Sequence, residues 1–372
     1  LTEQQRPYDL TAPNNPKFIA NVMSKIVWPL AAVMLVQAML MVATVTVPIL
    51  APELAADTGI EPRWIGIYSS LVFSGALVSI VLGGHLTRQF GAVTMSQIAL
   101  VISGLALMAT ASGVLPVITG SAIAAGFGYG LATPAASQIL AKISQPQQHG
   151  IVFSLKQSTV SLGGLVAGLV VPIFVVGFGW KTATFGIGLI VFTACLLIHP
   201  LRRSQDDRQP VRSATLNAPW QSIRYVLHHP RLRILAMIAL SYAAAQNSTN
   251  AIFVTFLVET MEMPLVLAGV AFSTMQLTGM TTRVFLGWIS DHFISATRLM
   301  GLIGILIATV LSILPFMDTS WSTTMIFLFA GLTGAFVMGW SGVYLAEIAR
   351  IVPHEDVAIA TSGTVFFSFL GA

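Results

Sequence analysis

Charge is what this chain has least of. Asp, Glu, Lys and Arg make up 9% of its 372 residues, whereas a soluble protein needs roughly 25% to cover its surface. Water is thereby excluded as the main solvent. Cysteine is reduced to Cys195, inside an apolar run, which closes no internal disulfide and argues against thiol or metal chemistry. The apolar runs hold no His-Glu-x-x-His, no paired aspartates and no serine–histidine arrangement. That excludes the familiar intramembrane enzymes, and no cofactor or metal is expected. The net charge of +4 does not describe a nucleic-acid surface, because the basic residues gather in short loops between apolar runs.

Apolar residues, in contrast, make up 55% of the chain. They form runs about 18–26 residues long, the length a helix needs to cross ~30 Å of hydrocarbon. The runs are continuous rather than alternating, which rejects a β-barrel. The sequence predicts spans at 26–51, 63–83, 93–112, 115–140, 151–176, 180–199, 231–257, 266–287, 298–316 and 322–346, and an eleventh from Val357 that is incomplete at Ala372. The first is too long for a signal-peptide core. The expectation is an all-α multi-pass membrane protein with a polar tail (1–25), an N-terminal bundle (26–199), a linker (200–230) and a C-terminal bundle (231–372). The linker carries an amphipathic piece around Trp220, Ile223 and Leu227. A twelfth helix is expected if the halves match.

Lysine and arginine set the orientation. With the N-terminus inside, the inner loops and ends hold fourteen of them and the outer loops only Arg63 and Lys181. The outer loops carry acids instead, Glu53, Asp57, Glu61, Glu259, Glu262 and Asp318. A cell membrane with a cytoplasmic N-terminus is expected.

The two halves repeat. Trp64-Ile65-Gly66-Ile67 leads through Gly75 to Gly84-His85-Leu86-Thr87-Arg88-Gln89-Phe90, and Leu267-Ala268-Gly269-Val270 leads through Gly279 to Gly287-Trp288-Ile289-Ser290-Asp291-His292-Phe293. Gly66 and Gly84 recur as Gly269 and Gly287, 203 residues on in both cases. Such a duplicated hairpin is the mark of secondary transporters. From Ile26 onward the chain resembles the major facilitator superfamily. Gly84, Leu86 and Gly91 match its loop 2–3 signature, although Arg88 stands where the aspartate belongs; the second copy keeps Gly287 and Asp291. A second stretch, Lys156-Gln157-Ser158 with Gly163, Gly164, Gly168 and Pro172 up to Phe178-Gly179-Trp180, resembles bacterial cyanate and nitroimidazole-type carriers. It lacks the Gly-Pro pair of the drug/proton antiporters. Arg283, four residues before Gly287, is similar to the helix-8 arginine of monocarboxylate transporters.

The resemblance implies two pseudo-symmetric six-helix bundles around a central site, alternating access, and usually a monomer in the bilayer. The expected function is secondary transport of a small solute, an organic anion or carboxylate; the alternative is broad-specificity efflux of drugs or metabolites. Lys156 and Arg283 carry the anion expectation, because both fall within spans where no acid lies at similar depth, and an intramembrane charge marks function. Arginine suits a carboxylate. Snorkelling to the inner interface is the other reading for both.

Span 7 holds a polar cluster, Tyr242, Gln246, Asn247, Ser248, Thr249 and Asn250, of which Tyr242, Gln246 and Thr249 fall at i, i+4 and i+7 with Asn250 beside that face. That face is expected to line the cavity, with interhelical hydrogen bonding as the other reading. Gln37, Tyr129, Gln138, Gln157, Gln276, Trp340 and Tyr344 are the further candidates, and for the aromatics packing serves equally. The family's gate places Arg88 against Glu355 or Asp356 with polarity reversed, and Asp291 near the start of span 5; a solvated Arg88 is the alternative. Glu53 and Glu259 are the available proton carriers for symport. Gly164 and Gly168 predict close helix approach.

Overall fold

The computed structural model describes residues 26–61, 64–143, 149–206, 218–353 and 356–372, and the described residues contain helices and no strand. The spans are α1 (Trp28–Thr58), α2 (Ile65–Phe90), α3 (Ala92–Thr110), α4 (Leu115–Ile143), α5 (His149–Phe178), α6 (Trp180–Ile198), α7 (Pro230–Glu259), α8 (Leu265–His292) and α9 (Ala296–Leu311). Next, α10 comes in three pieces, Thr323–Thr333, a π-helical turn Gly334–Met338, and Ser341–Ile351; α11 is Val357–Gly371. A separate linker helix, Ala218–His228, packs on α11 and on the base of α7. The end of the bundle where α6 stops and α7 starts is termed the linker side, and the opposite end the far side. The tail 1–25 lies outside the described residues.

Several spans depart from expectation: α2 runs on to Phe90 and α8 to His292, past the expected ends at 83 and 287. The first helix does not stop at residue 51; it continues through Pro48 and Pro52 to Thr58 and ends on Gly59 at φ +70°. A proline removes one backbone donor, but membrane helices tolerate it where neighbouring helices support the chain, and α1 is buried from Leu40 to Pro52. Among the described residues nine helices are long and apolar enough to cross a membrane. The 30-residue α7 is not one of them, because Gln246–Asn250 lowers its hydropathy.

Helix contact inside lipid needs close approach, since lipid tails are as apolar as leucine. Glycine provides it here. A Cβ on Gly126 of α4 would fall 1.7 Å from the carbonyl oxygen of Val72 on α2, and one on Gly128 would fall 2.7 Å from that of Ala99 on α3. Gly168 of α5 and Gly269 of α8 face each other in the same way, each Cβ meeting the other's carbonyl oxygen at 2.8 and 2.3 Å. The small-residue spacing of span 5 therefore marks the seam between the halves.

At the linker side the Asp206 carboxylate accepts hydrogen bonds from the backbone of Val93 (2.7 Å) and from Thr94 Oγ1 (2.6 Å), where the α3 N-terminus favours an anion. Gly91, at φ +97°, makes room, because a Cβ there would overlap that carboxyl. The chain leaving α6 is thus fixed to the loop 2–3 corner. In the second half, Tyr225 of the linker helix donates to Asp356 at 2.8 Å.

Gly126→Val is expected to lower the unfolding midpoint in detergent, since forcing bulk into a packed contact costs about 1–3 kcal/mol. A midpoint unchanged from the parent would show that α2 and α4 can part without penalty.

Candidate functional site

A cavity lies where the two halves meet, with about 480 Å³ of empty space counted to its open mouth. Met41, Thr44, Val45 and Pro48 of α1 form one wall, Ser69, Val72 and Phe73 of α2 another. Tyr129 of α4 and Val160 of α5 complete the first half's share, and Gln246, Asn247, Asn250 and Ala251 of α7 supply the second's. Phe73 and Tyr129 meet edge to face at 6.5 Å, and Phe369 of α11 packs against both at 6.2 and 6.1 Å. One aromatic group thereby joins the halves beside the cavity.

The α7 face is rotated relative to expectation. Gln246, Asn247, Asn250 and Ala251 turn to the cavity, while Thr249 lines an apolar groove with Phe253, Phe256 and Leu314. Tyr242 does not reach the cavity either: its hydroxyl donates to the Met300 carbonyl of α9, and its ring meets Trp340 edge to face at 5.6 Å. The i, i+4, i+7 spacing marks one edge of a wider polar stripe, and partners on α9 and α10 decide which edge is internal.

The polar floor is built from pairs. Trp340 Nε1 donates to Gln246 Oε1 at 2.9 Å, and Gln276 Nε2 donates to Asn250 Oδ1 at 2.9 Å. Gln276 can reach this far because Gly164 of α5 lies against its side chain. Asn247 bonds back to the Ala243 carbonyl at 2.9 Å. Tyr344 packs on Trp340 at 5.4 Å, and its hydroxyl faces Thr364 and Ser368 of α11 without closing a hydrogen bond.

One turn closer to the linker side lie Gln37 and Lys156. Gln37 precedes Met41 by four residues and Lys156 precedes Val160 by four, so each sits on the cavity-facing side of its helix. Both are buried, at 3% and 5% exposure. Gln37 Oε1 has no hydrogen-bond partner, and among the described residues none bonds to the Lys156 ammonium. Gln157 is half-buried.

Arg283, 4% exposed, is committed differently. Its Nη1 donates to the Gln157 carbonyl of α5 and its Nη2 to the Met338 carbonyl of α10 at 2.8 Å. The break of α10 after its π-helical turn leaves the Met338 carbonyl free to accept. One guanidinium thus ties α5, α8 and α10 together across the seam, and only Nε lacks a partner. Ser273 adds a bond from α8 to the Leu165 carbonyl of α5 at 2.9 Å.

The remaining candidates stand away from the cavity. Glu53 and Glu259 are exposed at far-side helix ends. Arg88 is exposed, Asp356 takes its hydrogen bond from Tyr225, and Glu355 and the Asp291 side chain lie outside the described residues. A Cβ on Gly84 or Gly287 would meet open space, so packing alone does not demand glycine at either. The His/Cys/Asp/Glu groups among the described residues form no cluster able to hold a metal.

Residues 32–372 match the family described as Major Facilitator Superfamily. The chain belongs to that superfamily, whose members are membrane transporters. It is 22% identical over 356 residues to a protein of Chlamydia trachomatis described as "Probable hexose phosphate transport protein", covering 86% of this chain and 77% of that one. It is 23% identical over 347 residues to "Membrane sensor protein UhpC" of Salmonella typhimurium, covering 87% and 77%. A bacterial homologue of the human lysosomal transporter Spinster, solved in an inward-facing and occupied conformation, superposes with a TM-score of 0.71 at 13% identity over 92% of this chain and 78% of that one. That superposition establishes the fold, two pseudo-symmetric bundles with eleven of the family's twelve helices in view.

Arg283→Lys is expected to lower the unfolding midpoint, because an ammonium cannot serve two carbonyls on different helices with the same geometry. Each charge-assisted bond lost is worth about 1.5–3 kcal/mol. A variant as stable as the parent would show the clamp to be dispensable.

Proposed function

We propose that this transporter carries a small organic anion, a carboxylate or a phosphate ester. One observation carries the reading: among the described residues of the membrane spans the buried charges are Lys156 and Arg283, both positive, and Lys156 lies one helical turn from Val160 of the cavity wall. Burying a charge without a counter-charge costs several kcal/mol. An anionic solute entering the cavity removes that cost, so its binding is selected over that of a neutral or cationic one. Gln37, Asn247, Asn250 and Tyr129 then supply neutral hydrogen-bonding groups for the rest of the solute. Hexose phosphates, named for the chlamydial relative, belong to this chemical class.

In this reading the bodies that rock are 26–199 and 231–372, joined by 200–230, with the N-terminus in the cytoplasm of a cell whose plasma membrane holds a monomer. Fold alone does not choose the solute, and the sensor relative makes binding without transport a live comparison.

The test has two arms. Purified protein is screened by thermal unfolding against lactate, nicotinate and glucose 6-phosphate, together with bulky apolar compounds. The anion that stabilises it is then tested for uptake into proteoliposomes. Stabilisation by an anion at 100 times its Kd amounts to about 2.7 kcal/mol, and Lys156→Gln is expected to remove most of it. Stabilisation by apolar compounds alone would replace the anion reading with broad-specificity efflux. Binding without uptake would mark a sensor.

A further inference from the structure

The amide side chains of α7 have a direction as well as a position. An indole N–H donates and never accepts. The bond from Trp340 Nε1 at 2.9 Å therefore holds Gln246 with Oε1 toward α10 and its Nε2 amino group turned away. A backbone carbonyl only accepts, so the bond from Asn247 Nδ2 to the Ala243 carbonyl at 2.9 Å leaves Asn247 Oδ1 as an acceptor. Asn250 accepts from Gln276 through Oδ1 at 2.9 Å, which turns its Nδ2 amino group the other way. Among the described residues neither Gln246 Nε2 nor Asn250 Nδ2 makes a hydrogen bond, and both side chains line the cavity.

Residues 246 and 250 are four apart, so they share one face of α7, about 6 Å from each other along the helix. The wall across the cavity has the reverse polarity. Thr44 Oγ1 of α1 donates its proton to the Leu40 carbonyl at 2.8 Å and keeps only lone pairs for a solute. Of the two pairs on the floor, one is fixed in sense. Gln276 and Asn250 are both amides and can exchange roles by turning together. Trp340 and Gln246 cannot, because the indole has nothing to accept with. Trp340 is 4% exposed, and its ring is packed edge to face against Tyr242 at 5.6 Å and Tyr344 at 5.4 Å. The polarity of the α7 wall is thus anchored at Gln246.

We infer that Trp340 is a positioning residue that fixes Gln246 as a hydrogen-bond donor to the solute, so that the carrier selects organic anions bearing a second acceptor, a carbonyl oxygen or a ring nitrogen, apart from the charged group. The inference rests on the anion reading above and deepens it. The charged group answers to the buried cations, and the second acceptor answers to Gln246 Nε2. An anion without that acceptor displaces water from the amino group and gives nothing back. An unmet donor costs more than a well-made bond gains. A solute whose second group is an ammonium fares no better, since it sets donor against donor.

The experiment is isothermal titration of the full chain in detergent at neutral pH with two pairs of anions, nicotinate with benzoate and pyruvate with methacrylate. Within each pair size and charge are matched, and one acceptor is exchanged for carbon: a ring nitrogen for C–H, a carbonyl oxygen for CH2. Glucose 6-phosphate is added as an anion of different shape. The parent is expected to bind the acceptor-bearing member of a pair about tenfold more tightly. Trp340→Phe keeps an aromatic ring beside Tyr242 and Tyr344 but has no N–H, so the amide turns freely and the ratio is expected to fall to within about threefold. Gln246→Glu puts an oxygen where the amino group was. Its added charge weakens both members alike, and the ratio is expected to vanish or reverse.

A Trp340 that served packing alone would weaken both members equally in Trp340→Phe and leave the ratio untouched, which overturns its positioning role. A ratio untouched in Gln246→Glu overturns the assignment of the donor. Equal or reversed binding within the pairs by the parent overturns the whole inference and leaves the anion reading standing, as does binding of glucose 6-phosphate alone. Should Trp340→Phe fail to fold, the parent's ratio and Gln246→Glu decide. No binding of any of the five anions removes the anion reading itself.

Discussion

Where α5 and α8 meet, Gly168 and Gly269 leave no side chain between the two backbones, and the rest of the centre depends on that distance. Because the helices touch, Ser273 reaches the Leu165 carbonyl, and Arg283 reaches the Gln157 carbonyl. Because Gly164 also lacks a side chain, Gln276 can turn toward Asn250 and complete the floor of the cavity. A seam held by dispersion and a few hydrogen bonds, with no ion pair crossing it in this stretch among the described residues, can slide without separating charges in hydrocarbon. That suits two bodies that must change their mutual angle repeatedly.

Under the proposed function the two buried cations divide the labour that one would otherwise have to do. A group that holds helices together needs fixed partners and a fixed charge. A group that senses a solute needs an unfilled hydrogen-bonding capacity. Arg283 meets the first requirement through two carbonyls, one of them freed by the break in α10. In the proposed function Lys156 takes the second, alongside the unpartnered Gln37 carbonyl on the facing helix. Removing either role from its residue would leave a buried charge serving nothing, which membranes penalise.

Much of this was legible in the residues. Apolar run length gave the spans, the Gly84 and Gly287 repeats gave the duplicated plan, and the absence of acids at depth singled out Lys156 and Arg283. What stayed hidden depends on partners distant in sequence. Which edge of the α7 stripe faces inward is settled by the Met300 carbonyl and by Trp340, neither of which local periodicity can weigh. The length of α1 exceeds the span expected from its apolar run, because burial from Leu40 to Pro52 lets the helix pass through two prolines to Thr58. Asp206 gave no signal at all; its role needs the α3 N-terminus and Gly91 beside it.

The π-helical turn at Gly334–Met338 has a bearing on how the sequence can vary. Such a turn holds roughly one residue more than α-helix would, and each residue turns the remainder of the helix by about 100°. Deleting a single position there would straighten α10 and swing Trp340 away from Gln246 and Tyr242 of α7, emptying the floor while leaving the residues that form it unaltered. Spacing in this helix is therefore under tighter constraint than composition, and an insertion or deletion here is a graver change than most substitutions.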